Sequence, residues 1–490
     1  MSKKEKVIAP EKLAKIKQRE AKELAKWQAE KAKPKKNFYL IHMFAICTVI
    51  NLADEICSNL NAQMKSILAT VFFEPVYGSE FAIARMDAFL MITFLFTGLA
   101  FLYKVLADRY GRKIFLIINT FGMGIAMILI GLATNIPVYL IGACLVTFFT
   151  PHDMQIAYVM ESAPAKHRAK FCSFTKVLAT LASMIIPAMR NLFITATDYS
   201  RWRMIYLLPS VIAFVAAVVA MLSLRETDAF IDTRIRQLSM SDEEKAAAKL
   251  NKKQDTTSRG GILNGIKFIF RHKQLLWLAL GYGFLTFANN LTTNNEAILT
   301  MNYAQNYMAS TGISLEDAKV AAIDMVSKAL LLMPIGNALL SLAQGFVSDK
   351  IGRKPSAALF AVSCIVLLAG SYFAATAGMN PYIIGFLVGM GVAAYWSSND
   401  NFYYLVYESC PTNLRTSVSS MFPIISGQFS LLSVGVITAM NNILGDTKIG
   451  LVALCAALPG VVISLTVLLL KVKETKGIDF SSIKGDEFEN

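Results

Sequence analysis

An acid inside an apolar run is the residue here best suited to chemistry, because an ionisable side chain at membrane depth is costly and is kept where it has work to do. Asp153 and Asp400 stand in such runs, 247 residues apart, and an aromatic precedes each by one helical turn, Phe149 and Trp396. Each acid lies eight residues before a Glu, Glu161 or Glu408. At about 1.5 Å per residue that is roughly 12 Å along a helix, near the bilayer centre. The two acids are expected to differ. Lys176, eight residues after Arg168, falls at about the depth of Asp153 on the next run and can neutralise it. The equivalent of Lys176 in the second half is Pro423. Asp400 is therefore expected to be desolvated with no local partner, which suits it to load and release a proton. Asn399 places an amide beside it.

Further polar side chains interrupt other runs. Asn51, Asp54, Glu55, Asn59 and Gln63 fall close to one helical face, and Asn289, Asn290, Thr293, Asn294 and Glu296 gather in a later run. Amides and acids of this kind suit a hydrogen-bonding small solute. Arg190 is expected at the depth of Asp54 and is assigned there or to Glu55, as a structural ion pair or as a proton relay. Asp87 and Lys328 occupy equivalent positions, each 21 residues before a loop Asp, and are expected at the outer membrane edge. His152 follows Pro151, which frees a carbonyl one turn back. It can bind substrate, shuttle protons or sit neutral between helices. Four His and seven Cys without ligand spacing indicate no metal and no cofactor. Nothing resembles a nucleotide-binding loop or a Ser-His-Asp array, so the chain reads as no enzyme.

The elements that carry these residues follow from hydropathy. Of 490 residues 55% are hydrophobic, mean hydropathy is +0.48, and apolar runs of about 20 residues recur. The fold class is all-α and polytopic. Twelve spans are expected at 38–60, 82–105, 114–134, 136–160, 171–197, 203–224, 274–295, 320–345, 356–377, 381–405, 416–440 and 449–470. The net charge of +14 comes from cations clustered between alternate runs, a pattern of membrane topology and not of nucleic-acid binding. It places both termini in the cytoplasm.

Residues 1–37 are strongly basic, and 9–33 read as a helix with a narrow apolar stripe of Leu13, Ile16, Leu24 and Trp27. With no apolar core they are no cleavable signal. The helix is expected to be solvated or to lie on the membrane surface, with partner docking as the alternative. Residues 225–273 form a polar linker in which Ser241-Asp242-Glu243-Glu244 reads as a capping box. Residues 38–224 and 274–470 then form two six-helix bundles, followed by a tail at 471–490.

The bundles are copies of one unit. Asp108-Arg109-Tyr110-Gly111-Arg112-Lys113 returns as Asp349-Lys350-Ile351-Gly352-Arg353-Lys354. Glu161-x-x-Pro164-x-x-x-Arg168 returns as Glu408-x-x-Pro411-x-x-x-Arg415, and Glu226-Thr227 as Glu474-Thr475. Three patterns in one order at nearly one offset mark a duplication. These motifs resemble the major facilitator superfamily, whose halves are parallel six-span repeats. The two Glu-x-x-Pro-x-x-x-Arg motifs and Lys473-Glu474-Thr475-Lys476-Gly477 resemble its sugar-porter and metabolite:proton symporter group.

Lys104 stands where that family usually has Gly. The fourth span lacks the Arg of proton-coupled sugar porters and the seventh lacks their paired Gln, so the architecture carries over and sugar as substrate does not. The resemblance implies that spans one, four, seven and ten line a central cavity. It also implies that Asp108, Arg112, Glu161 and Arg168, with Asp349, Arg353, Glu408 and Arg415, form a cytoplasmic gate. The expected function is proton-coupled symport of a small organic solute at the plasma membrane by a monomer among membrane lipids. Proton-antiport efflux of an amphipathic or cationic compound is the alternative, and a non-transporting sensor a remote one. Asp108→Asn is expected to shift the balance of inward-open and outward-open forms in cysteine-accessibility assays while the solute rank order stays unchanged.

Overall fold

A computed structural model describes residues 10–33, 38–104, 110–150, 158–159, 162, 168–195, 199–241, 268–410 and 415–475. Every regular element among them is helical. That is what a bilayer demands, since a helix satisfies its backbone groups internally. Nine helices are long and apolar enough to span by themselves among the described residues, and Ile136–Phe149 and Val177–Phe193 are shorter apolar helices. The seventh span completes the set of twelve positions in pieces, as Lys273–Leu285, Thr286–Ala288, Asn289–Thr293 and Asn295–Thr311.

Several ends are written locally. Asn135 caps the fourth span by accepting from Val138 N at 3.1 Å, with a proline in its first turn. Ser314 does the same for the eighth through Asp317 N at 3.2 Å. That eighth helix, Leu315–Ile351, has 37 residues, or about 55 Å, and runs beyond the expected 320–345 at both ends. The fourth helix ends at Phe149 with Thr150 as its C-cap, one residue before Pro151.

The first span is also discontinuous. Tyr39–Gln63 stops at Met64, and the chain continues as Lys65–Leu68, a π-turn over Ala69–Phe73 and Glu74–Tyr77. In the seventh span, Thr292 donates to the Asn289 carbonyl at 2.7 Å, and Asn295 to the Thr292 carbonyl at 2.6 Å. Polar side chains thus occupy the carbonyls that the break disturbs.

In the second half, close packing rests on missing side chains. Cβ atoms at Gly385 and Gly389 of the tenth span (Pro381–Glu408) would overlap the carbonyl oxygens of Ala329 and Met333 on the eighth. A Cβ at Gly336 would overlap that of Phe386 in return. Small residues four apart let backbones approach where lipid supplies no hydrophobic drive.

The basic N-terminal helix, Pro10–Ala32, keeps most of its described surface exposed and buries Trp27 within the chain itself. It docks on a linker helix, Asp228–Ser239, capped by Thr227. Trp27 is buried edge-on against Phe230, ring centroids 5.4 Å apart. Glu23 accepts from Arg234 at 2.9 Å, and Lys31 pairs with Asp232 at 2.6 Å. The Arg234 hydrogen bond holds the Glu23 carboxyl below its usual range. The capping box read at 241–244 falls mostly outside the described residues.

Gly389→Ala is expected to lower the melting midpoint in detergent through about 1–3 kcal/mol of overpacking. Gly370→Ala, where a Cβ would meet nothing within 4 Å, should not; equal midpoints for the two variants would contradict the packing described.

Candidate functional site

At the end of the bundle that bears the repeated loops, each half builds the same device. Gly352 turns with φ +104°, and the next helix starts with Arg353 N and Lys354 N donating to Glu474 at 3.0 and 2.9 Å. In the first half Gly111 turns with φ +113°, and Arg112 N and Lys113 N donate to Glu226 at 3.0 and 3.1 Å. A carboxylate thus takes the N–H groups that a helix start leaves open and meets the positive end of the helix dipole. Only glycine fits the turn, because φ is positive and a Cβ would press on the capping Glu. The lysines answer at the other pole: Lys113 Nζ donates to the Met221 carbonyl at 3.0 Å, and Lys354 Nζ to those of Leu469 and Val472 at 2.9 and 2.8 Å. The sequence marks Glu226 and Glu474 only as part of a repeated Glu-Thr pair, with no sign of this role.

Arg353 ties the second-half network together, with Asp349 at 2.7 Å and Glu408 at 3.3 Å. Thr475 donates to the other oxygen of Glu408. These contacts lie within one half. Asp108 and Glu161 fall outside the described residues, as do the side chains of Arg168 and Arg415.

Deeper in, the predicted residues separate. Asp54 is 1% exposed, Glu55 accepts from Asn59 at 3.0 Å, and Asn51 reaches the Thr175 carbonyl at 3.3 Å. Phe149 packs edge-on to Phe148 and fills the space over Gly122. His152, Asp153 and the Lys176 side chain lie outside the described residues. On the tenth span, Asn399 donates to the Tyr282 hydroxyl at 2.7 Å, and Trp396 is 48% exposed. Half-buried Asp400 accepts from Gln344 Nε2 of the eighth span at 3.3 Å. It is not without a local partner. The expectation looked for a cation on the eleventh span, whereas an amide reaches across from the eighth. Asn290 joins Ser433 at 3.0 Å, and Asn289 shapes the break in the seventh span.

Arg190 corrects a second expectation. Its guanidinium bonds Glu296 Oε1 at 2.8 Å, where the pair is 1% and 0% exposed, and also the Gln63 carbonyl and Ser327 Oγ. Asp54 and Glu55 lie on the helix before the Met64 break; Glu296 lies just after the equivalent break in the seventh span, and the breaks bring the two spans together. Ser66 donates N–H and hydroxyl to Glu296 Oε2, both at 2.9 Å, and Lys65 reaches Asn294 and Asp87. Nearby, Asp446 accepts from Ile83 N and Ala84 N at 2.7 and 2.8 Å, and Lys319 reaches the Ser79 carbonyl and Glu74. Here second-half carboxylates cap first-half helix starts, so this end closes between the halves. Beside Arg190 and Glu296 lies a small recess lined by Thr70, Tyr199 and Glu316 among others. Lys328 stands apart, exposed and paired with Asp324 at 2.7 Å.

Comparison with known proteins places this geometry. The family model described as Major Facilitator Superfamily matches residues 56–435. The multidrug resistance protein MdtG of Escherichia coli O6:K15:H31 is 43% identical over 77 residues, 14% of this chain and 19% of that protein. The chain thus matches about a fifth of the length of that curated relative. A crystal structure of a D-xylose-proton symporter aligns with TM-score 0.56 and 16% identity, covering 90% of this chain and 99% of that one. The inward-open xylose transporter XylE from E. coli aligns with TM-score 0.57 at 15% identity, covering 90% and 98%. A bacterial homologue of the human lysosomal transporter Spinster, inward-facing and unoccupied, gives 0.55 at 14%, covering 89% and 95%.

Arg190→Met would leave the Glu296 carboxylate buried without its cation, a change worth about 3–5 kcal/mol. It is expected to open the end that Arg190 closes, measured as faster labelling of a Thr70→Cys probe by an impermeant thiol reagent in a Cys455→Ser background. An unchanged labelling rate would mean that the pair does not hold that end shut.

Proposed function

We propose proton-coupled transport of a small polar organic solute for this chain, which belongs to the Major Facilitator Superfamily and is a multi-pass membrane transporter. The observation that carries the reading is the asymmetry between the two ends. The contacts that tie Arg353, Glu408, Glu474 and Glu226 run within a half, whereas Arg190, Glu296 and Asp446 join one half to the other. Among the described residues the halves are thus tied to each other at one end, an arrangement that fits one of the two states alternating access requires. In our reading the closed end faces outward, the loop end faces the cytoplasm with both termini, and Asp108, Arg112, Glu161 and Arg168 with Asp349, Arg353, Glu408 and Arg415 close it in the other state.

Asp400 is the coupling carboxylate of this proposal. It is half-buried, and the Gln344 amide donates to one of its oxygens. Trp396, one turn away, offers a ring to the solute, Asn289 offers an amide, and Asn399 and Asn290, bonded to Tyr282 and Ser433, position the lining. By the resemblance of the two halves we assign Asp54 and Glu55 of the first span, with Phe149, His152, Asp153 and Lys176, to the first-half side of the same site. The solute class follows from this lining: hydrogen-bonding groups and one apolar face, as in a sugar, an organic acid or a related metabolite. The protein acts in the plasma membrane as a monomer.

Proton-antiport efflux is the second reading, and the short match to a multidrug resistance protein favours it. Counterflow in proteoliposomes across a solute panel, with and without an imposed pH gradient, separates the two. Symport predicts solute accumulation with inward proton flow, and antiport predicts the reverse. Asp400→Asn is expected to abolish pH-driven accumulation while exchange of solute at equal pH persists. Full pH-driven accumulation by that variant would remove Asp400 from the coupling mechanism.

A further inference from the structure

We propose that the N-terminal helix presents a docking face for anionic lipid headgroups, with Lys15, Arg19, Lys22 and Lys26 as its contact residues. These four are exposed and follow one another at spacings of four, three and four, so they form a single stripe along the helix. Docking on the linker helix creates that stripe by sorting the charges. Glu23 is spent on Arg234, Trp27 is turned onto Phe230, and Lys31 is held by Asp232. What is a mixed-charge helix in sequence becomes basic along one flank of the docked face, where Lys26 Nζ also lies 4.8 Å from the centre of the Trp27 ring.

The position of the helix decides what the face meets. Its last turn is pinned by Arg225, whose guanidinium donates to the Glu30 and Lys33 carbonyls while its own N–H bonds the Tyr39 hydroxyl at 3.0 Å. Arg225 follows the sixth span by two residues and Tyr39 opens the first, so the helix leaves the bundle at the headgroup level. A basic stripe within about a Debye length of an anionic leaflet gains roughly 1 kcal/mol per cation. Apolar insertion through Trp27 is closed to it, because that ring is already buried against the linker. Charge, and not hydrophobicity, is the recognition element.

Amide hydrogen exchange over residues 15–30 of the full chain tests this in nanodiscs of phosphatidylcholine alone or mixed with phosphatidylglycerol. Protection is expected to rise about tenfold or more with the anionic lipid and to fall back at high salt. K15Q/R19Q/K22Q should lose that increment while exchanging like the native chain in phosphatidylcholine. Lys22→Gln alone, which alters none of the docking contacts described, should lose a share of it and serves if the triple variant unfolds the helix. Equal protection in both lipids, or a lipid-dependent increment surviving in the variants, would overturn the proposal. Protection elicited by soluble polyglutamate but not by phosphatidylglycerol would overturn it too, in favour of an acidic protein partner.

Discussion

A helix start leaves backbone N–H groups without partners, and in or beside a bilayer there is little water to take them. Four carboxylates answer this in the molecule, and much of its architecture depends on where they come from. Glu226 and Glu474 cap helix starts in their own half. Glu296 and Asp446 cap helix starts in the opposite half. The chemistry is the same at both ends, a charge-assisted bond to backbone. The consequence differs, because caps within a half survive a rocking of the two halves and caps between halves must be broken by it.

The breaks in the first and seventh spans belong to the same logic. An unbroken helix has no open N–H at mid-length and offers an incoming carboxylate nothing. By stopping at Met64, the first span exposes the Ser66 N–H to Glu296, and Arg190 then supplies the countercharge that a buried carboxylate requires. Polar residues that look like solute ligands in sequence, Asn294 and Glu296 among them, are used to lock the bundle.

Near the tenth span the balance is different. Asn399 is buried on Tyr282, yet Asp400 beside it stays half-open and is held by a neutral amide from the eighth span. Close approach of the eighth and tenth backbones at Gly336, Gly385 and Gly389 allows that reach. Burial and a hydrogen bond from an amide give this acid an environment unlike that of a surface carboxylate.

The helical class, the span positions and the duplication were legible in the sequence, because a bilayer forces apolar runs of fixed length and a repeat keeps its motifs at one offset. The linker helix at Asp228–Ser239 was not, since nothing in its mixed composition reveals that Trp27 lies across from it. Nor could depth along a helix pair Arg190 correctly: it pointed to Asp54 and Glu55 in the same half, and the partner, Glu296, comes from the other half through two helix breaks. Asp400 was found by its place in an apolar run, while Gln344 was missed, because a polar amide in a span carries no signal until the neighbouring helix is known. Sequence by itself determined which residues are too costly to be idle; only the tertiary structure decided which of them satisfy one another, since that depends on contacts far apart in the chain, 56 residues for Gln344 with Asp400 and 106 for Arg190 with Glu296.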